Sequence, residues 1–200
     1  MTGMTSNVPG GKCPACGAPE VDASHPRTFY ACGSSDYDQR PGTFRQGGLC
    51  VRHESIYLAG PLFTTPERIW NEELASKLNS FGYDVFLPQA ECLNVEGDAQ
   101  AVFDKCIDGI DTSDIVLACV DGTDADSGTA FEIGYAYAKG KPVVVYRTDF
   151  RNRADDGGVN LMLSKSCAHF IHCSSVEDTV EQLLRFLQMQ RRTVRQSQEG

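Results

Sequence analysis

What the chain lacks narrows its class first. It is poor in basic residues: 18 Lys and Arg stand against 27 Asp and Glu, a formal net charge of -9 over 200 residues. Gripping a nucleic-acid backbone takes clustered Lys and Arg, so this balance argues against nucleic acid as a partner. No run approaches the ~20 apolar residues that cross a bilayer, so no membrane partner is expected. The opening "MTGMTSNVPGGK" has no apolar stretch. It therefore carries no secretory signal, and a cytoplasmic protein is expected. Thiols stay reduced in that compartment. The nine cysteines are accordingly expected as free thiols or metal ligands rather than disulfides. Internal repeats are also missing, which removes solenoids and propellers.

What is present changes character near residue 53. Residues 1–53 hold four cysteines, many Gly and Pro, and few aliphatic residues, whereas residues 54–190 carry the apolar runs. The final stretch 191–200, "RRTVRQSQEG", is a polar tail expected to fray. With 41% hydrophobic residues the chain can build one α/β core and a small appendage. In the first region "CPAC" (13–16) precedes Cys32 and Cys50, a C-x2-C-x15-C-x17-C spacing. This resembles half a zinc ribbon, without the second CxxC. Cys13, Cys16, Cys32 and Cys50 would close a structural zinc site, with His25 or His53 able to replace one. The other reading is a leader without metal. A segment with so little apolar surface gains more from a metal than from a core. No cofactor is expected for catalysis.

The second region alternates in type. "SIYLAG" (55–60) reads as a strand ending in a Gly-Pro turn. "TPERIWNEELASKLNSFG" (65–82) reads as a helix with Thr65 as N-cap, and with Ile69, Trp70, Leu74, Leu78 and Phe81 on its apolar face. "YDVFLP" (83–88), "DIVLACV" (114–120), "KPVVVYR" (141–147) and "HFIHC" (169–173) read as strands. Helices are expected over 98–114, 127–140 and 175–190. Strands alternating with helices imply an α/β fold: a doubly wound parallel sheet of about five strands, beside the small Cys-rich module. Ligands of such sheets bind beyond the carboxyl ends of the strands. That rule selects the loops 59–65, 88–97 and 121–128.

The third loop, "DGTDADSGT", opens a helix and carries Asp121, Asp124 and Asp126. Acids at a helix N-terminus cap free N–H groups and suit the dipole. That does not account for Glu132, in the second turn between Phe131 and Ile133. The helix is apolar nearly all round, so it is expected to lie buried between the sheet and another layer. A carboxylate there must be paired or functional. Asp126 and Glu132 together suit cleavage of a C–N glycosidic bond. One carboxylate can attack C1′ and hold the sugar as an ester, and a second acid can protonate the leaving base. Gln89 and Glu91 are placed to meet a base edge or to lie in a surface loop. Phe63, Phe86 and Leu87 are placed to wall the site or to serve as plain core.

Four separated stretches resemble the nucleoside 2-deoxyribosyltransferase family over residues 54–190: "IYLAGPLF" (56–63), "TSDIVLACVDG" (112–122), "DSGTAFEIGYAYAKGKPVVV" (126–145) and "VNLML" (159–163). The resemblance implies a flavodoxin-like fold. It implies a transferase that exchanges the base of a 2′-deoxynucleoside for a free nucleobase through a deoxyribosyl ester, within nucleotide salvage. Glu132 would be the nucleophile, Asp126 would contact base or sugar and assist proton transfer, and Tyr57 would orient Glu132. Asn160 would reach a neighbouring subunit's site, which implies a homo-oligomer. Gly60, Phe63, Gln89, Asp121 and Gly128 complete the expected substrate-binding set. One position departs: some members carry Asp eight residues before the acid matching Asp114, and here it is Cys106. Base preference, purine or pyrimidine, stays open with it.

Two alternatives remain. One is an N-glycoside hydrolase of 2′-deoxynucleosides or their 5′-monophosphates. Similar hydrolases carry Ser where this chain has Asp126. A carboxylate ~4 Å from a phosphate repels it by a few kcal/mol at intermediate dielectric, and the three loops hold no Arg or Lys. Arg147, Arg151 and Arg153 could offset that by folding over a phosphate, or could belong to a solvated loop. The other alternative is a nucleotide-sensing or interaction module without catalysis. A sensor, however, has no need of a buried nucleophile.

Overall fold

The computed structural model describes residues 20–22, 27–31, 43–46, 49–95, 97–149 and 159–198, with side chains for 54–95, 97–149, 159–190 and 193. The chain divides into two compact units: residues 1–54 with 185–200, and residues 55–184.

In the first unit the backbone forms four strands, β1 (Glu20–Asp22), β2 (Arg27–Ala31), β3 (Thr43–Gln46) and β4 (Leu49–His53). They pair antiparallel in the order β1-β2-β4-β3. Cys50 stands in β4, in register with Tyr30 and Arg45. Cys13, Cys16 and Cys32 lie outside the described residues, and with them the expected zinc site.

The second unit holds a five-stranded, all-parallel sheet. Its strands are β5 (Ser55–Ala59), β6 (Asp84–Phe86), β7 (Ile115–Cys119), β8 (Val143–Arg147) and β9 (His169–His172), in the order β6-β5-β7-β8-β9. This is the flavodoxin-like order expected from the sequence. Every residue of β7 and β8 is buried, as expected for parallel strands covered on both faces and written as continuous apolar runs. The order reverses direction around β5. The chain leaves β5 to one side for β6, then crosses to the other side for β7. The crevice beyond the ends of β5 and β7 is thus the topological switch point.

Between the strands run α1 (Thr65–Ser80), the one-turn α2 (Pro88–Glu91), α3 (Ala99–Thr112), α4 (Ser127–Ala138), α5 (Leu161–Ser166) and α6 (Val176–Gln198). The loop expected at 88–97 is therefore α2 followed by a 3-10 turn, Leu93–Val95. The helix α6 carries through the polar stretch 191–198. Among the described residues no helix is long and apolar enough to cross a membrane.

Thr64, not Thr65, caps α1. Its side chain accepts from Glu67 N, and the Glu67 carboxylate accepts from Thr64 N at 2.7 Å, a capping box. The helix buries Asn71, Leu74, Ala75 and Leu78 and leaves Ile69 and Phe81 exposed. The buried stripe thus lies one residue round from the expected face. Trp70 covers the sheet by stacking on Tyr146 at 6.4 Å.

On the opposite sheet face Tyr57, Ala59, Val116, Ala118, Val143 and Val145 pack against Ile110 of α3 and Ile133 and Ala136 of α4. The expectation that α4 is buried all round is not met. Phe131 and Tyr137 are more than half exposed. The Phe131 ring meets the rings of Phe103 of α3 and Tyr135 of its own helix. One face of α4 meets the sheet, and the aromatic face does not. Phe86 and Leu87 belong to the core: Leu87 is buried, and the Phe86 ring stacks on Tyr57 at 5.3 Å.

Candidate active site

Beyond the ends of β5 and β7 lies a cavity of about 530 Å³, a size suited to a small organic ligand. The loop after β5 contributes Gly60, Leu62 and Phe63, and α1 contributes Arg68. Gln89, Cys92 and Leu93 come from α2 and the turn after it. Val102 and Cys106 project from α3, and Asp126, Gly128, Thr129 and Glu132 line the start of α4.

Glu132 is at the floor. Tyr57, fully buried in β5, donates its hydroxyl to Glu132 Oε1 at 2.5 Å. Burial pushes the Glu132 carboxyl up to about 7. The Tyr57 hydrogen bond pulls it back, and the charge on Asp126 pushes it further up. Tyr57 is itself held well above the ordinary tyrosine range, first by burial and then by the charge on Glu132, so it remains a donor. A carboxylate that titrates near neutrality and is held by one phenol in a cleft can act as nucleophile or as base.

Asp126 has two duties. As N-cap of α4, its Oδ2 accepts from Thr129 N at 2.9 Å and from Thr129 Oγ1 at 3.3 Å. Among the described residues no hydrogen bond engages its Oδ1. Gly128 lets this carboxylate stay close, since a Cβ there would meet Asp126 Oδ2 at 3.1 Å.

The other expected residues divide. Gly60 lines the pocket, and Phe63 lines it while 72% exposed. Gln89 lines it too, but its amide is engaged: it accepts from Asn71 Nδ2 at 3.2 Å and donates to Arg68 O and Glu72 Oε1, both at 3.0 Å. Glu91 is exposed and outside the wall. The structure does not bring Asp121 to Glu132. Its carboxylate accepts from Thr148 N at 2.6 Å and Asp149 N at 2.9 Å, tying the β7 loop to the end of β8. It lines a separate cavity with Trp70 and Asn71. Asn160, exposed, caps α5 by accepting from Met162 N at 2.9 Å, outside this pocket. Arg147 is not in a solvated loop. It is 3% exposed and donates to Val120 O at 2.8 Å and Gly122 O at 3.0 Å. Arg151 and Arg153 lie outside the described residues.

Arg68 and Cys92 enter the wall although the sequence reading did not place them there, and Cys106 enters it at the position where the family resemblance has a base-holding Asp. Arg68 had one available signal, its position in the first turn of a helix that directly follows a selected loop. Cys92 lay within the selected span 88–97. Among the described residues no group of three or more His, Cys, Asp or Glu is arranged to hold a metal ion.

Among solved structures, a conserved protein from Enterococcus faecalis V583 is 28% identical, with TM-score 0.56 over 66% of this chain and 97% of that one. The 2-deoxyribosyltransferase from Bacillus psychrosaccharolyticus is 27% identical, with TM-score 0.51 over 62% of this chain and 89% of that one. A 2-desoxiribosyltransferase from Leishmania mexicana is 25% identical, with TM-score 0.52 over 66% and 97%. A CMP N-glycosidase from Clostridium botulinum, 21% identical with TM-score 0.50 over 66% and 98%, shares the fold. No curated protein sequence matches the chain. The family model described as nucleoside 2-deoxyribosyltransferase matches residues 56–167, more than half of the chain and the whole span that builds the pocket. The chain belongs to the nucleoside 2-deoxyribosyltransferase family.

Proposed function

We propose that the protein transfers 2-deoxyribose between nucleobases through a covalent deoxyribosyl ester on Glu132. The observation that carries this reading is the Tyr57–Glu132 pair. It is a carboxylate raised to about 7, gripped at Oε1 by one buried phenol, and turned into an otherwise largely apolar cleft. With Oε1 held, Oε2 attacks C1′ of the nucleoside as the C–N bond breaks. The bond's electron pair leaves with the base, which takes a proton. Asp126, through its uncommitted Oδ1, relays that proton from solvent to the base. An incoming base then attacks C1′, Glu132 departs as carboxylate, and the proton the incoming base loses passes through Asp126 to solvent. A group titrating near neutrality serves both halves, being basic enough to attack and acidic enough to leave. Leu62, Phe63, Leu93 and Val102 supply apolar surface for the base. Excluding water there favours a second base over hydrolysis. The likeness to the two deoxyribosyltransferases supports the assignment.

The test is base exchange from deoxyinosine or thymidine to a free base. Glu132→Ala is expected to lower exchange by roughly 10³-fold or more, with the fold intact by circular dichroism. Normal exchange in that variant would overturn the assignment.

One observation favours a second reading, hydrolysis of a deoxynucleoside 5′-monophosphate. The three strand-end loops hold no cation, but α1 brings the Arg68 guanidinium into the wall. That group already donates to Leu62 O at 3.1 Å and Phe63 O at 3.3 Å, so it braces the loop. Release of free base from a monophosphate without acceptor, at a rate comparable to exchange, would establish the second reading over the first.

A further inference from the structure

The pocket wall contains a feature that sugar transfer does not use. Cys92 and Cys106 lie with their sulfurs 3.9 Å apart, and both line the cavity beside Glu132. The other cysteines whose side chains are described are singly placed. Cys119 is buried at the end of β7, Cys167 donates to Ser164 O at 3.2 Å, and Cys173 donates to Arg147 O at 3.6 Å. We propose that Cys92 and Cys106 are a redox-active pair, which a hydroperoxide converts to a disulfide that closes the sugar site reversibly. The loss of activity rests on the function proposed above; the disulfide itself does not.

Geometry permits the bond. A disulfide spans about 2.05 Å, so the sulfurs must approach by roughly 1.9 Å. Cys106 stands on the 14-residue α3, whereas Cys92 ends the one-turn α2. A 3-10 turn and Gly97, at φ 97°, follow Cys92. The movement therefore falls to the Cys92 side. Both thiols are half-buried in a cleft wide enough for a nucleoside, so a small peroxide reaches them.

Burial pushes the Cys106 thiol up to about 11, which makes Cys106 a poor first nucleophile. In the proposed order the Cys92 sulfur attacks the peroxide, the O–O bond breaks, and a sulfenic acid forms, the Cys92 proton leaving with the reduced peroxide as water (or alcohol). The Cys106 sulfur then attacks the Cys92 sulfur. The S–O bond breaks, and the Cys106 proton leaves with that oxygen as water. Two thiols and one hydroperoxide give one disulfide, with water and the reduced peroxide. Drawing Cys92 onto Cys106 fastens the α2 turn to α3 across the cavity wall beside Glu132. A thiol reductant restores the open form by exchange.

The experiment uses the full chain, fully reduced, then treated with hydrogen peroxide. Free thiols are blocked, the protein is digested, and linked peptides are sequenced by fragmentation. The expected product joins Cys92 to Cys106 and is lost on reduction. Base exchange is expected to fall about ten-fold or more and to return with dithiothreitol. Cys92→Ser is expected to give no such link and no reductant-reversible loss, measured against that variant's own untreated rate. The peptide map on the unmodified chain decides the pairing even if no exchange activity is found. Peroxide-treated protein with both cysteines unlinked, or linked to other partners, overturns the proposal. A Cys92–Cys106 link with undiminished exchange overturns the closure.

Discussion

As the proposed nucleophile, Glu132 is subject to two opposed demands. A nucleophile must be ionised, and burial in the cleft favours its neutral form, which is why its carboxyl stands at about 7. Activity is therefore expected to rise with pH through an acid limb near 7. The limb's neighbours should move it in opposite directions. Tyr57→Phe removes a hydrogen bond to the charged form, so the limb moves to higher pH and the rate at pH 7 falls by about ten-fold or more. Asp126→Asn removes a nearby negative charge, so its limb moves lower even as proton transfer to the base suffers. The pH dependence of kcat/KM in the three proteins is the measurement. A limb unmoved in Tyr57→Phe would mean that the phenol does not set the protonation of Glu132. Both carboxylates were legible in the sequence, because an acid among apolar residues and an acid before a helix each stand out. That Asp126 caps α4 and faces the cavity at once was not legible, since capping and lining use different oxygens of one side chain.

At the scale of elements, α3 holds the site steady from behind. Gly109 sits in the last turn of α3, inside the helix, where glycine costs up to about 1 kcal/mol against alanine. The structure supplies the reason: a Cβ there would lie 2.7 Å from the Phe86 ring. Phe86 in turn stacks on Tyr57, which holds Glu132. Gly109→Ala improves helix propensity and overfills this contact, and overpacking of a core costs typically about 1–3 kcal/mol. Net destabilisation in urea denaturation is expected, together with reduced exchange as the Tyr57 ring shifts. A stabilised variant with normal exchange would mean that Phe86 has room to move. The sequence makes the helix and its ends readable, since Asp98 and Asp126 are local signals. It does not say what an apolar face packs against. Phe131 and Tyr137 on α4 looked like core for that reason, yet they face outward. The cap of α1 is set one residue late, at Thr65, when Pro66 is read as the first helical position; the T-x-x-E spacing of Thr64 and Glu67 is the local signal that marks Thr64.

Over the whole molecule, the pocket gathers residues from the β5 loop, α1, α2, α3 and α4. Strand-end logic names loops, not directions. It found Gly60, Phe63, Gln89, Asp126 and Gly128, but it also included Asp121, which turns away to bind Thr148. It passed over Arg68 and Cys106, which reach in from helix sides. Asn160 is the remaining test of how a complete site is put together. It stands exposed at the start of α5, outside its own chain's pocket, with Leu161 54% and Met162 77% exposed beside it. If Asn160 completes a neighbour's site, then Glu132→Ala and Asn160→Ala chains, each nearly inactive alone, should regain exchange when unfolded together and refolded as a mixture. A mixed pair restores one site of two, because the Asn160→Ala chain supplies Glu132 and the Glu132→Ala chain supplies Asn160. Under random pairing in a two-fold assembly the mixture should recover about a quarter of the unmodified activity. No recovery, with mixed assemblies demonstrated by mass, would mean that each chain builds its sugar site alone and that Asn160 is only the cap of α5.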